Sequence, residues 1–278
     1  MGNNYKVIIN RDNPDYLIYD VFGYEHLNQK YNKAIKIALY SENIIPDFNY
    51  ADYALSQSYI NYLDRYFKYP SYIYRLTEHN IKNLDEIRLK VIKFPKRKKF
   101  CAAVISNGNS SFRLNFIKKL NEYKIVDMGG RVLNNIGKKV EDKIKFLSSY
   151  KFSISMENSN GDGYISEKII DSFMAGNIPI YYGNYMIDEY INPKSLILIN
   201  NEKDMNEKIE YIKKIDNDDR LYKKLLKEKV FNDINIVEKI ENEKTKFLRH
   251  VFEQDKKYAK RIDNHNLNFV EYNKILNL

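Results

Sequence analysis

Hydrophobic positions recur with two periods along this chain. In the clearest stretch, Phe152, Ile154 and Met156 alternate as strand residues do, and residues 158–163 have loop composition. Ile169, Ile170, Phe173 and Met174 then recur at helical spacing, ahead of the apolar run 178–182. The order predicts strand, glycine-containing loop, helix, strand. A second segment repeats it: an apolar run at 100–105, a loop at 106–111 rich in helix-capping residues, then Phe112, Phe116 and Leu120 on one helix face. Upstream, residues 5–9 and 16–21 read as strands split by a turn at 10–14. Residues 34–40 read as a strand ending in Ser41-Glu42-Asn43, and 52–55 as a further strand. Residues 76–99 carry a charged helix and the basic run 96–99. Beyond Asn200 the pattern is helical, with Ile209, Ile212, Leu221 and Leu225 at helical intervals. A domain boundary is expected near Pro95, giving an N-terminal domain of 1–95 and a C-terminal domain of 96–278 that includes the late helices.

Both repeated units place a cation at the helix start, Arg113 in one and Lys168 in the other. The first turn of a helix is electropositive, so a cation there makes most sense if an anion binds beside it. Two such units suggest an open parallel sheet that gathers a diphosphate at the carboxyl ends of its strands. The plain alternative is a solvated surface side chain at each place, the usual fate of a single Arg or Lys; the repetition weighs against it.

The 278 residues, 44% hydrophobic and 30% charged, suit one large or two moderate globular domains. The single cysteine, Cys101, excludes an intramolecular disulfide and a cysteine-based metal cluster. The four histidines, His26, His79, His250 and His265, are too scattered to suggest a metal site, and no clear Asp-X-Asp pair stands at a strand end. No run of about 18 apolar residues exists and the first residues lack an apolar signal core, so a soluble, cytoplasmic chain is expected. The net charge of +9 is interspersed and favours anionic ligands without demanding nucleic acid. Tyrosine among basic residues could stack nucleic-acid bases. Many of the 25 tyrosines fall in apolar strand patterns, however, and read as half-buried packing residues. Phe247, Leu248, Val251 and Phe252, followed by the basic stretch 256–261, form an amphipathic segment. It could make weak peripheral contact with the inner membrane surface, although packing across the two domains is the commoner use.

With these residues in view, the chain resembles the α-1,3-fucosyltransferase family, especially its bacterial-type members, from about Asn13 to Arg261. The most specific part is Tyr150-Lys-Phe-Ser-Ile-Ser-Met-Glu-Asn-Ser, followed by Gly163-Tyr-Ile-Ser-Glu-Lys-Ile-Ile-Asp and Ile178-Pro-Ile-Tyr-Tyr-Gly. Val21-Phe-Gly, Ser41-Glu-Asn-Ile-Ile-Pro-Asp-Phe-Asn, Asp64-Arg-Tyr-Phe-Lys-Tyr-Pro, the stretch 106–113, and Gly129-Gly-Arg131 with Asn134-Asn-Ile-Gly137 support it in the same order. The resemblance implies an α/β fold of GT-B type, two Rossmann-like domains facing a central cleft, with the donor held by the C-terminal domain and the acceptor by the N-terminal one. It implies an inverting glycosyltransferase that moves L-fucose from GDP-fucose to a glycan hydroxyl, O3 of N-acetylglucosamine being favoured, in glycan biosynthesis or protein glycosylation. No cofactor is required on this view, and a divalent metal is at most stimulatory. Family members commonly begin with a further strand and helix, so the N-terminal domain is expected to lack its first strand-helix unit.

An inverting transfer is a direct displacement, and the acceptor hydroxyl needs a base as the new bond forms. By resemblance that base is Glu42, at the carboxyl end of the strand 34–40, the rim where open α/β sheets put their ligands. Carried over in the same way, Glu167 would bond donor hydroxyls and stabilise positive charge on the fucose ring. Arg113, Lys168 and backbone N–H groups would face the leaving diphosphate. Asn158 and Tyr164 would contact the nucleotide sugar, Glu157 would orient Lys168 or Asn158, and His26 would touch the acceptor. Structural alternatives stand beside these: a turn Glu or Asn, a packing Tyr, a first-turn Glu that stabilises its helix. Two other readings also stay open, a transferase for another GDP-sugar or acceptor, and a noncatalytic basic protein that binds a nucleotide, a nucleic acid or an anionic surface.

Overall fold

The computed structural model describes residues 6–81, 83–93, 99–184 and 186–262. They fall into two compact units, one drawn from Met1–Ser71 and Val237–Leu278, the other from Tyr72–Ile236. In the first, strands β1 (Tyr16–Tyr19), β2 (Ile35–Leu39), β3 (Tyr53–Ser56) and β4 (Tyr66–Lys68) form a sheet in chain order with every pair parallel. β3 is buried throughout and β2 is buried up to its last residue, the continuous pattern of strands covered on both faces. The predicted strands 16–21, 34–40 and 52–55 correspond to β1, β2 and β3. The predicted strand 5–9 does not form over its described residues: 6–9 carry no strand, and Val7, Ile8 and Ile9 are exposed.

The second unit opens with helices α1 (Ser71–Glu78) and α2 (Leu84–Lys93). It continues through β5 (Lys99–Ala103), α3 (Ser111–Asn121), β6 (Val126–Met128), α4 (Lys143–Leu147), β7 (Tyr150–Ile154), α5 (Glu167–Met174), β8 (Ile178–Tyr181), β9 (Ile197–Leu198), α6 (Met205–Asn217) and α7 (Asp219–Lys227). Its sheet runs β6-β5-β7-β8-β9, all parallel. Counted within the unit this is the doubly wound order 2-1-3-4-5, in which connections leave β5 and β7 in opposite directions. Apolar residues of β5, β7 and β8, with Phe116, Ile117 and Leu120 of α3 and Ile212 and Ile215 of α6, make the core beneath that point. Both units are thus Rossmann-like, as the GT-B type requires.

Pro95 itself lies outside the described residues. The compact units change instead between Ser71 and Tyr72 and again between Ile236 and Val237. Helix α2 belongs to the second unit, where Arg88, fully buried, donates to the carbonyls of Leu225 (2.7 Å) and Glu228 (3.3 Å) at the end of α7 and complements the negative end of that helix.

After Ile236 the chain returns to the first unit with α8 (Ile236–Glu253) and α9 (Lys256–Ala259). Phe247 packs on Phe67 and Tyr53, Phe252 meets Tyr16 edge-on, and Val251 is fully buried. The apolar stripe of the late amphipathic segment thus packs, within the first unit and not across two domains, against β1, β3 and β4. Among the described residues no helix is long and apolar enough to cross a membrane.

Candidate active site

The site is built where β5 and β7 part. Gly130, in the loop after β6, lies directly on the backbone of Ile105 beyond β5. A Cβ there would collide with the Ile105 backbone, so the close approach requires glycine. Each helix that follows starts at a serine: Ser110 Oγ accepts from the Arg113 N–H and Ser166 Oγ from the Lys168 N–H, both at 3.4 Å.

Arg113 does not point into solvent. It is 1% exposed, and its guanidinium donates to the carbonyl of Asn107, to the carbonyl of Met156 (3.1 Å) and to Oδ1 of Asn158 (2.7 Å). It therefore ties the loop after β5 to the loop after β7 and unites two predicted donor-binding residues. Its Nε is buried without a partner. Burial lowers its pKa, and the Glu157 carboxylate partly offsets that.

Lys168 is organised from behind. Its Nζ lies 3.0 Å from Glu157 Oε2 and 3.0 Å from Ser166 Oγ, with Glu167 Oε1 at 3.8 Å. Glu157 is fully buried, and it also accepts from the Ser166 N–H (2.8 Å) and hydroxyl (2.7 Å). Gly183 makes room for it, because a Cβ there would stand 2.7 Å from Glu157 Cγ. Burial raises the Glu157 pKa against the pull of Lys168 and Ser166. For Lys168 burial works downward, but Glu157 and Glu167 outweigh it and its pKa is raised. Both shifts run toward the proton-bound form, the direction that suits an anion bound nearby.

Tyr164 is buried in the same loop, its N–H donating to Gly161. Glu167, in the first turn of α5, has a side chain 48% exposed. Phe112 of α3 stacks on Tyr182, centroids 3.9 Å apart, and Asn160 donates to the Tyr182 hydroxyl. The sequence reading gave Ser166 no role, although a serine directly before a helical apolar pattern is a cap signal. Phe112 and Tyr182 read there as packing positions.

Glu42 and His26 belong to the first unit. Glu42 is exposed in the loop past the end of β2, its carbonyl accepting from the Ile44 N–H at 2.8 Å. His26 stacks on Tyr19 of β1 at 4.1 Å, nearly coplanar, and Tyr19 meets Tyr40 edge-on, so both predicted residues lie at the carboxyl rim of β1 and β2. Burial and the nearby Lys36 lower the His26 pKa, which favours the neutral ring.

The α-(1,3)-fucosyltransferase FucT of Helicobacter pylori is 31% identical over 235 residues, 74% of this chain and 49% of that protein. Human GDP-fucose protein O-fucosyltransferase 3 is 30% identical over 45% of this chain and 28% of its own length. The chain thus spans at most about half the length of the curated relatives it matches. A crystal structure of an α1,3-fucosyltransferase with GDP-fucose superposes with a TM-score of 0.67 and 29% identity, covering 78% of this chain and 75% of that one. Residues 1–75 match the model of the α-(1,3)-fucosyltransferase FucT N-terminal domain. Residues 94–267, more than half of the chain, match the C-terminal model of glycosyltransferase family 10, so the chain belongs to that family, the fucosyltransferases.

Proposed function

We propose that this protein is an inverting glycosyltransferase that moves L-fucose from GDP-fucose to a hydroxyl of a glycan acceptor. The observation that carries the reading is the meeting of Arg113, Asn158 and Lys168 at the carboxyl ends of β5 and β7, where a doubly wound sheet binds its ligand. Donor binding in a related structure supports it.

In this reading Lys168 and the helix N–H groups receive the charge that builds on the leaving diphosphate, and no resident metal is required. Arg113 supports them by holding Asn158 and the two loops in place. Tyr164 lines the nucleotide sugar, and Glu167 bonds the fucose hydroxyls and opposes the positive charge of the transition state. Glu42 takes the proton of the attacking hydroxyl as the bond to C1 forms, and the exposed rim beside His26 receives the acceptor. O3 of N-acetylglucosamine is the favoured target. A protein hydroxyl is the second reading, supported by the likeness to a protein O-fucosyltransferase. We place the enzyme in the cytoplasm, on its single, buried cysteine.

Transfer from GDP-fucose to lactosamine-type acceptors and to a peptide panel tests this. We expect Glu42→Ala to lose at least about a hundredfold in kcat with donor binding kept, and Lys168→Ala to weaken GDP binding as well as turnover. Full activity in Glu42→Ala would remove the assigned base. Transfer from another GDP-sugar in preference to GDP-fucose would replace the donor.

A further inference from the structure

We propose that Glu157 is the proton partner of the diphosphate site: it positions Lys168, and when a diphosphate anion binds that lysine Glu157 takes up one proton from solvent. This rests on the donor reading above. Glu157 stands just past the end of β7, fully buried, with Lys168 Nζ at 3.0 Å and the Ser166 N–H and hydroxyl on its oxygens. An ammonium has three hydrogens. Here Glu157 Oε2 and Ser166 Oγ receive two of them, which fixes the amine and leaves the third for a ligand.

A phosphate oxygen that takes the third hydrogen lies only two hydrogen-bond lengths, about 5–6 Å, from the Glu157 carboxylate. Negative charges then outnumber the cations around a fully buried carboxylate that water screens little, the arrangement that favours a proton on one of the anions. The diphosphate of a nucleotide sugar is a diester without a proton-binding site near neutrality, so the proton goes to Glu157. As a neutral acid it still accepts from Lys168 through its unprotonated oxygen.

The other charged or titrating groups facing Glu157 do not relieve the conflict. Arg113 of α3 keeps its charge and acts on Glu157, but its hydrogen bonds go to two carbonyls and Asn158, and the doubly charged diphosphate with Glu157 still outweighs Lys168 and Arg113 together; Glu167 of α5 is half exposed and negative, and Tyr181 of β8 keeps its proton through burial. Burial already inclines Glu157 the same way.

The test is calorimetric titration of the whole protein with GDP-fucose near neutral pH, in buffers of unequal ionisation heat. We expect about one proton taken up per donor bound, and an affinity that falls by up to about tenfold per pH unit as pH rises through the neutral range. Glu157→Gln keeps the shape and most of the hydrogen bonding; its uptake should drop to near zero and its affinity should lose that pH dependence. Should the amide variant not fold, Glu157→Asp retains a titrating group and should retain the uptake. A merely structural Glu157 would, when replaced, weaken binding equally at every pH. Donor binding by the parent without uptake, or uptake that persists in Glu157→Gln, overturns the proposal and leaves the donor reading standing. Failure of the parent to bind GDP-fucose overturns both.

Discussion

Lys68 ends β4 with its ammonium 3.3 Å from the centre of the Tyr59 ring, and burial lowers its pKa from 10.5 to about 7. Below that value the folded protein carries a charge that water solvates better. Between about 7 and 10.5 the unfolded chain binds the extra proton, so this residue makes stability rise with pH over that window. Lys68→Met, which keeps the length and removes the charge, should therefore be more stable than the parent in mildly acidic buffer. We expect about 1–2 kcal/mol, discounted because the side chain is partly solvated, with the gap narrowing toward alkaline pH. Urea denaturation at several pH values measures this, and a gap independent of pH would show that the amine stays charged in the fold. Arg113 is buried more completely, and its NH1 and NH2 groups donate to fixed oxygens that hold its charge in place.

Helix α5 carries Glu167 and Lys168 at its start, and its own position depends on Asp171. That carboxylate, 1% exposed, accepts from Arg75 of α1 and Lys143 of α4, each at 2.8 Å. Asp171→Asn keeps the volume but leaves Lys143 without this counter-charge and Arg75 with Glu78 alone. We expect a loss of about 2–4 kcal/mol by chemical denaturation, toward the low side of buried pairs because the cations are 24% and 26% exposed; a loss below about 0.5 kcal/mol would mean that packing alone holds the helix. Helices α3 and α5 and strands β5, β7 and β8 were legible in the sequence because each is long enough to display its period. Strands β4, β6 and β9, of three, three and two residues, are too short for that. β6 is moreover fixed by side chains: Asn121 accepts from the Val126 N–H, and Asn135 accepts from the Met128 N–H while donating to the Val126 carbonyl. At the site, the cations at the two helix starts were legible. The resemblance also pointed to Glu157 as the carboxylate that orients Lys168, whereas that Arg113 turns inward to bind loops was not legible, because it depends on which side of a loop is buried.

At the scale of the molecule, the chain leaves its first unit at Ser71 and comes back at Val237, so the sheet β1-β2-β3-β4 is completed by residues distant in sequence. Asp52 is the focus of the return. It has no exposure, and its Oδ1 accepts from the Arg261 (2.5 Å) and Ile262 (2.8 Å) N–H groups, while Oδ2 accepts from the Lys36 N–H (2.7 Å) with Lys260 Nζ at 3.4 Å. Asp64 adds bonds from Arg261 (2.5 Å) and His250 (3.0 Å). A chain ending at Ile236 would strip Asp52 of all these donors but Lys36 and would uncover Tyr16, Tyr53 and Phe67, which lose Phe252 and Phe247. A buried carboxylate without its partners and an opened aromatic layer together exceed the few kcal/mol by which a small sheet is stable. Hydrogen exchange should then show amides of β2 and β3 losing their protection, while those of β7 and β8, whose core lies wholly within Tyr72–Ile236, keep theirs. Retained protection in β2 and β3 would mean that the four strands close without the returning helix, and that the Asp52 bonds follow the fold of the first unit instead of completing it.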